Sequence, residues 1–401
     1  MEGDFAKVSA NENNIKYKNM IQREKELYKD NIDLRSEFER DYTRIIHSTA
    51  YRRLKHKTQV FFSPESDHVC TRIEHVTHVD SISYTIAKYL GLNTELTRAI
   101  STGHDLGHSP FGHQGEKILS EICERDLGKK FWHEQNGLNF VDKIELLEDR
   151  EGYKQNMNLT YAVRDGIISH CGEVDQNAIK PREEFIDLNE YKRPNQYAPY
   201  TWEGCVVKVA DKISYIGRDI EDAIRLGILD NNLDELYNIL NFSQTEKINN
   251  SAIINKLVLD LALNSSVEKG ICFSKEALEI MDRIKAFNYK NIYFNERLKS
   301  ASRYFELVIN EIYDKLAGLY EKENTLERLK NESKIYPKFI NIFIDWLQNY
   351  CNLTDRSNMN LKNKVVFDMA RQEDYNEAIV YFISGMTDKF VLDIYREIIS
   401  F

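Results

Sequence analysis

The stretch HDLGHSPFGH, residues 104–113, places three histidines and one aspartate within ten positions, together with two glycines and a proline. The whole chain of 401 residues contains only ten histidines, so this concentration is unusual for its composition. Imidazole and carboxylate groups bind divalent metals and transfer protons near neutral pH. The stretch therefore indicates a metal site, an acid–base site or both.

The residues before this stretch predict where its first two polar groups lie. A helix that begins near Asn93 or Thr94 must end before Pro110, because proline disfavours helical geometry for the residue that precedes it. His104 and Asp105 then lie in the last turns. Neighbouring residues on a helix diverge by about 100°, so both bind one ion only if that ion lies at the helix edge. Other ligands must come from elsewhere.

Two further residues are candidate ligands. His75 lies on a predicted amphipathic helix at 71–90, and Asp211 follows the apolar run CVVKVA, where an uncompensated carboxylate would be costly. Two imidazoles and two carboxylates suit Mn²⁺, Fe²⁺, Zn²⁺, Co²⁺ or Ni²⁺ better than a thiolate metal or calcium. The alternative is that His75 and His78 are ordinary helix residues and that His104 and Asp105 form a hydrogen-bonded pair in the core.

Charge and composition restrict the possible partners and the location. The chain has 54 basic and 64 acidic residues, a net charge of −10, so a general attraction for nucleic acid or anionic membranes is excluded. The N-terminus resembles no signal peptide, and no apolar run approaches the ~18 residues that span a bilayer. We therefore expect a cytoplasmic protein without a membrane partner. Six dispersed cysteines without a C-x-x-C pair predict reduced thiols.

Apolar residues recur every three or four positions through most of the chain, which predicts a mainly α protein. The best strand candidates are residues 57–62 and 363–370, and residues 173–202 are typical of a long loop between helices. The expected divisions are an N-terminal segment at 1–34, a catalytic core at 35–230 and a helical C-terminal region at 231–401 that packs on the core.

Four longer stretches together resemble one family. These are FERDYTRIIHSTAYRRLKHKTQVF (38–61), HDLGHSPFGHQGE (104–116), ADKISYIGRDIEDAI (210–224) and YFISGMTDKFVLDIY (381–395). In this order they are similar to segments of the deoxyguanosine triphosphate triphosphohydrolase-like family, the dNTPases, among the HD-domain phosphohydrolases. The resemblance implies a helical HD-domain core with a helical C-terminal extension. It also implies metal-dependent hydrolysis of a dNTP at the α-phosphorus, giving a deoxynucleoside and inorganic triphosphate.

The resemblance implies roles for the histidine-rich segments. Each active site would bind one divalent metal, with Mn²⁺ as our first expectation and Mg²⁺, Fe²⁺, Zn²⁺, Co²⁺ or Ni²⁺ as alternatives. The implied ligands are His75, His104, Asp105 and Asp211. The implied catalytic residues are His108, His113, Glu116 and His133. Among them His113 is the candidate acid for the departing 5′ oxygen, oriented by Glu116, because histidine titrates near working pH.

Substrate-binding roles follow from the same resemblance. The implied residues are Gln59, Arg72, Lys212, Tyr215 and Asp219. Tyr215 would pack on the deoxyribose, and Asp219 and Gln59 would contact its 3′-hydroxyl, while Arg72 and Lys212 would hold phosphate oxygens. Tyr215 and Asp219 also share a helical stripe with Asp211, for which a solvated face is the alternative interpretation.

The chain departs from the family pattern in two places. Many members have a polar HN-x-Q-S word where this sequence reads HEQNG at 133–137, and Ser109 replaces the usual proline or threonine. Residues 230–375 align with nothing, and we expect part of the base-recognition surface there.

Other functions stay open at this point. One is an HD phosphatase or phosphodiesterase that acts on other nucleotides, and the other is a non-catalytic sensor of nucleotide or single-stranded nucleic acid. The resemblance further implies a homo-oligomer, a hexamer or a tetramer, and an allosteric nucleotide in some members. Nucleic acid is a secondary candidate partner.

Overall fold

The computed structural model describes residues 4–27, 34–62, 68–171, 177–230, 232–240, 250–353, 356 and 359–400. Within them the chain forms seventeen α-helices and one antiparallel pair of short strands, β1 (Leu146–Glu148) and β2 (Lys154–Asn156). The mainly α prediction is confirmed. The first nine helices are α1 (Tyr17–Met20), α2 (Glu37–His47), α3 (Thr49–Arg53), α4 (Arg72–Leu90), α5 (Thr94–Gly103), α6 (Gly112–Leu127), α7 (His133–Asn139), α8 (Tyr161–Ser169) and α9 (Trp202–Arg225). The others are α10 (Leu233–Leu240), α11 (Asn250–Asn264), α12 (Lys275–Asn288), α13 (Glu296–Ala317), α14 (Thr325–Glu332), α15 (Pro337–Tyr350), α16 (Gln372–Ser384) and α17 (Asp388–Ile399).

Both strand predictions are wrong. In the segment 57–62 only Thr58 pairs, through a single bridge to Thr71, and in 363–370 only Phe367 pairs, with Cys351. Short β-branched and aromatic runs favour extended backbone, but a ladder needs a partner strand, and helices surround both segments.

Helices α4, α5 and α9 pack on one another at the centre of the molecule. The predicted start of α5 is confirmed, because the Asn93 side chain accepts hydrogen bonds from the Glu95 and Leu96 backbone nitrogens. α4 begins with a capping box between Thr71 and Glu74. The predicted apolar stripe of α4 is buried. Its members are Val76, Val79, Ile82 and Ile86.

Of the helices after α9, α11 packs on α4 and α9, and α12 packs on α9. α13 packs on α6, α16 and α17 with one apolar face and leaves Tyr304 and Leu307 exposed on another. All six cysteines lie among the described residues, and each is buried and outside any disulfide, as expected. None of the described helices combines the length and the apolar character that a membrane crossing needs.

Candidate active site and metal centre

The predicted ligands meet where α4, α5 and α9 pack together. His75 Nε2 lies 3.0 Å from Asp211 Oδ1, which is also 3.8 Å from His104 Nε2. Asp105 Oδ1 lies 3.3 Å from His104 Nε2, and Asp105 Oδ2 lies 3.9 Å from His75 Nε2. His75, His104 and Asp211 thus bring ligand atoms to within 4.8 Å of one another, and Asp105 forms a second such group with His104 and His170.

The buried groups of this cluster fit a divalent metal. His104 Nδ1 contacts the Ser101 carbonyl oxygen at 2.6 Å and donates to it, so Nε2 carries the lone pair. That Nε2 atom is buried and has no hydrogen-bond partner. A mixed set of imidazole and carboxylate groups is what Mn²⁺, Fe²⁺ or Zn²⁺ binds. The cluster therefore suits a metal better than a hydrogen-bonded core pair, because the latter would leave no such nitrogen unsatisfied.

Arg72 and two neighbouring imidazoles keep Asp105 ionised. Arg72 Nη1 donates to Asp105 Oδ2 at 2.8 Å, and His108 Nε2 lies 3.1 Å from Asp105 Oδ1. Burial acts to raise the pKa of Asp105, but His104, His108 and Arg72 together hold that pKa well below its ordinary value. The carboxylate is thus ready to bind a cation without first losing a proton.

The loop after α5 packs tightly against α7. A Cβ atom at Gly107 would lie 2.1 Å from the Gly137 nitrogen and 2.2 Å from the His133 oxygen, so only glycine fits. Phe111, which directly precedes α6, has a φ of 62°, in the left-handed region that residues other than glycine rarely adopt. This path brings His108 onto His133, whose rings stack with centroids 3.8 Å apart.

Glu116 on α6 holds two histidines. Its carboxylate lies 3.1 Å from His133 Nδ1 and 3.4 Å from His113 Nδ1, and it also accepts from the His133 backbone nitrogen. Burial acts to lower the pKa of His133, but the carboxylates of Glu134 and Glu116 outweigh it and raise the pKa to about 10. The side chain of His113 is 57% exposed and faces the cavity. One carboxylate therefore orients two potential acids.

Two buried charges from distant segments fix the loops around this centre. Lys57 Nζ donates to the carbonyl oxygens of His108 and Ser384, the latter at 2.8 Å. Asp388 accepts from the backbone nitrogens of Thr58 and Phe111, each at 2.8 Å. The SGMTD segment, residues 384–388, is thus hydrogen-bonded both to the 104–113 loop and to residues 57 and 58. We call Lys57 and Asp388 the loop clamp.

These elements surround a cavity of about 500 Å³ with two unlike sides. The histidine side consists of His75, Asp105, His108, His113, His133, His170 and Asp211. The aromatic side comes from residues 289–305, which begin with the π-helical turn Tyr289–Tyr293 after α12. It consists of Tyr289, Tyr293, Arg297, Leu298, Ala301 and Phe305.

Tyr215 and Asp219 on α9 lie between the two sides. Tyr293 Oη donates to Asp219 Oδ2 at 2.5 Å, and burial raises the pKa of Asp219 to about 6. Phe305 stacks on Phe111 with centroids 4.1 Å apart. Because these positions on α9 line a cavity, the solvated-face interpretation of the helical stripe fails.

Comparison with known proteins shows the family of this chain. The HD domain family matches residues 72–216. A deoxyguanosinetriphosphate triphosphohydrolase-like protein of Caldanaerobacter subterraneus subsp. tengcongensis is 33% identical over 91% of this chain and 86% of its own. One of Rickettsia bellii is 32% identical over 91% and 92%, and one of Desulfatibacillum aliphaticivorans is 36% identical over 70% and 73%. The chain belongs to the deoxyguanosinetriphosphate triphosphohydrolase-like family. It is an HD-domain phosphohydrolase.

Most residues that the sequence predicted for this dGTPase-like protein meet at the cavity. Ten of them line it: Gln59, Arg72, His75, Asp105, His108, His113, His133, Asp211, Tyr215 and Asp219. His104 and Glu116 contact lining residues without lining the cavity themselves. Lys212 is buried on α9 and lies outside the lining.

Sequence reasoning missed several residues of the dGTPase-like site. His170 Nδ1 donates to the Ile167 oxygen at 2.6 Å, and its ring centroid lies 4.9 Å from that of His104. Burial lowers the pKa of His170 to about 3, so its free nitrogen carries a lone pair. Its signal in the sequence was a histidine that directly follows the apolar run GIIS. Tyr293 and Phe305 had no signal beyond amphipathic spacing.

Proposed function

We propose that this dGTPase-like protein is a metal-dependent dNTP triphosphohydrolase that cleaves its substrate at the α-phosphorus. One observation carries the proposal: the candidate ligands His75, Asp105 and Asp211, the Glu116-linked histidines and the pair Tyr215 and Asp219 all line the same cavity. The fourth candidate ligand, His104, lies behind them and contacts Asp105 and Asp211. The cavity volume of about 500 Å³ is in the range of small-molecule sites.

His75, His104, Asp105 and Asp211 would hold the divalent metal. When bound, the metal would polarise the α-phosphoryl group and lower the pKa of a water molecule. Mn²⁺ is our first choice, and Fe²⁺, Zn²⁺, Mg²⁺, Co²⁺ and Ni²⁺ remain alternatives because the donor set accommodates them. The identity of the metal is to be measured.

The reaction adds water to the α-phosphorus and breaks the bond between that phosphorus and the 5′ oxygen. His113 would donate a proton to the departing 5′ oxygen, since its ring faces the cavity and its Nδ1 is oriented by Glu116. His133 would remain protonated beside Glu116 and Glu134 and would stabilise the developing negative charge. The products are a deoxynucleoside and inorganic triphosphate.

The rest of the substrate would be bound by the polar groups between the two sides. Tyr215 would cover C2′ of the sugar and so exclude a ribose, and Asp219 and Gln59 would contact the 3′-hydroxyl. Arg72, already at the cavity surface, would hold phosphate oxygens together with Lys212. Lys212 must then turn from its buried position toward the cavity. Assembly as a homo-oligomer and activation by a second nucleotide belong to the same proposal.

Product analysis tests the proposed function. Metal-stripped protein and protein restored with Mn²⁺ are incubated with each dNTP, singly and mixed, beside the four rNTPs, and the products are separated by chromatography. Release of deoxynucleoside and intact triphosphate only with metal supports the proposal. Release of single phosphates would instead identify another HD phosphohydrolase. Nucleotide binding without turnover would identify a sensor.

A further inference from the structure

A second cleft lies behind the catalytic helix α7. Its volume is about 460 Å³, close to that of the active-site cavity. His133 and Glu134 of α7 line the cavity, whereas Gln135, Asn136 and Asn139 line the cleft. Successive residues are about 100° apart around a helix, so these two groups occupy opposite faces of α7. One short helix therefore separates the two concave sites.

The rim of the cleft is basic. Lys130, Lys143 and Lys192 line it, and no carboxylate among the described residues forms an ion pair with them. Lys129 is already neutralised by Glu377 at 3.0 Å and Glu373 at 3.3 Å. In a protein of net charge −10, three lysines without acidic partners around one concavity are a local reversal of the overall charge.

Two buried polar atoms in the wall of the cleft have no partner. Trp132 Nε1 and Asn136 Oδ1 make no hydrogen bond, although the residues are only 6% and 3% exposed. An unsatisfied buried group of this kind costs roughly 1–3 kcal/mol. An occupant that accepts a hydrogen bond from Trp132 Nε1 would recover that cost at the indole, whereas Asn136 Oδ1 is an acceptor and needs a donor. Other such atoms cluster at the active site, at Gln59, Arg72 and His108.

We propose that this cleft is a second anion-binding site, which binds the phosphate groups of a small molecule. Lysine ammonium groups bind phosphate as point charges, and the Trp132 indole adds a hydrogen-bond donor. The other end of the Asn136 amide donates to the Gly107 carbonyl oxygen at 2.7 Å, inside the 104–113 loop. An anion bound here would thus lie beside a residue whose amide holds the 104–113 loop. The proposal does not depend on the proposed function of the cavity.

Trp132 provides the test. The chain has three tryptophans, and the double substitution W202F/W346F leaves Trp132 as the single fluorescent reporter. The full-length variant is titrated with inorganic triphosphate, with ATP and with adenosine, which carries no phosphate. We expect a saturable change in emission with both phosphate compounds and none with adenosine. A response to ATP alone would assign nucleotides as the source of the phosphate.

Charge reversal localises the response. K130E/K143E/K192E in the reporter background is expected to raise the apparent Kd by at least about tenfold, whereas the exposed control K275E leaves it unchanged. Arg72→Ala, in the active-site cavity, should also leave it unchanged. The proposal is overturned if neither phosphate compound gives a saturable change, or if Arg72→Ala abolishes a change that the lysine variant retains.

Discussion

The histidine side and the aromatic side of the cavity are built in different ways. On the histidine side, most ionisable groups are buried and contact one another, as in the contacts of Asp105 with Arg72 and His108. On the aromatic side, residues 289–305 form a surface whose main polar contact to the opposite elements is the Tyr293–Asp219 hydrogen bond. We infer that the first side determines the chemistry and the second determines which substrate fits.

The difference also concerns tolerance to substitution. A charge removed from the histidine side leaves its partners buried and uncompensated, which costs far more than the loss of a surface contact. A change on the aromatic side alters shape and one hydrogen bond. The two sides should therefore respond differently in metal content, in kcat and in KM, and four substitutions test this.

The largest effect is expected at Asp211. Asp211→Ala removes a carboxylate that contacts both His75 and His104, so metal binding should be lost and turnover should fall by at least about 10³-fold. Metal content by mass spectrometry, turnover and helicity by circular dichroism are compared with the exposed control Asp282→Ala. Full activity of the Asp211 variant would remove the proposed ligand set.

The loop clamp tests whether the histidine side needs support from a distance. Asp388→Ala frees the backbone nitrogens of Thr58 and Phe111, and the resulting shift of the catalytic loop should lower kcat by about 10²-fold while metal content is kept. Asp388→Asn should retain more activity, because an amide oxygen still accepts. Asp393→Ala, on the same helix, is the control. Equal kcat in all three variants would show that the clamp has no role in positioning.

The charged pair Glu116 and His133 predicts a pH dependence. The raised pKa of His133 means that its stabilisation is complete below its ordinary pKa of 6.5 and is lost as pH rises through about 10. The pKa of Glu116 is held well below 4.5, chiefly by His133 against the effect of burial, so its own contribution is lost only in acid.

Urea unfolding of the metal-free protein at pH 6 and pH 10 measures this difference. Glu116→Gln should make the free energy of unfolding fall less between pH 6 and pH 10. It should also lower the pH at which activity declines on the alkaline side of the pH–activity profile. Glu121→Gln, on an exposed position of the same helix, should change neither. An unchanged alkaline limb in the Glu116 variant would contradict the assignment.

The smallest effect is expected on the aromatic side. Tyr293→Phe removes the hydrogen bond to Asp219 but keeps the ring, so KM should rise about fivefold, as expected for a loss of about 1 kcal/mol, with kcat little changed. Steady-state kinetics with the preferred dNTP are compared with Tyr304→Phe, which is exposed on α13. A large fall in kcat without a change in KM would mean that Tyr293 takes part in the chemical step. That result would contradict the proposed division of roles between the two sides.

The sequence alone determined the helical class, the start of α5, the reduced state of the cysteines and the family. These features rest on local patterns: the spacing of apolar residues, an asparagine cap before a helix, and four long sequence segments in a fixed order. The divisions at residues 34 and 230 remain predictions. The same local patterns failed for residues 57–62 and 363–370, because a strand depends on a partner that the segment itself does not contain.

Only the tertiary structure decided which residues surround these four sequence segments. His170 reaches the ring of His104 through the packing of α8 near α5, and Tyr293 reaches Asp219 through the π-helical turn after α12. Asp388 reaches the 104–113 loop across 277 positions. Such contacts depend on how helices pack, and many sequences of similar polarity satisfy that packing. The sequence identified the chemical groups at this site, and the fold decided which of them meet.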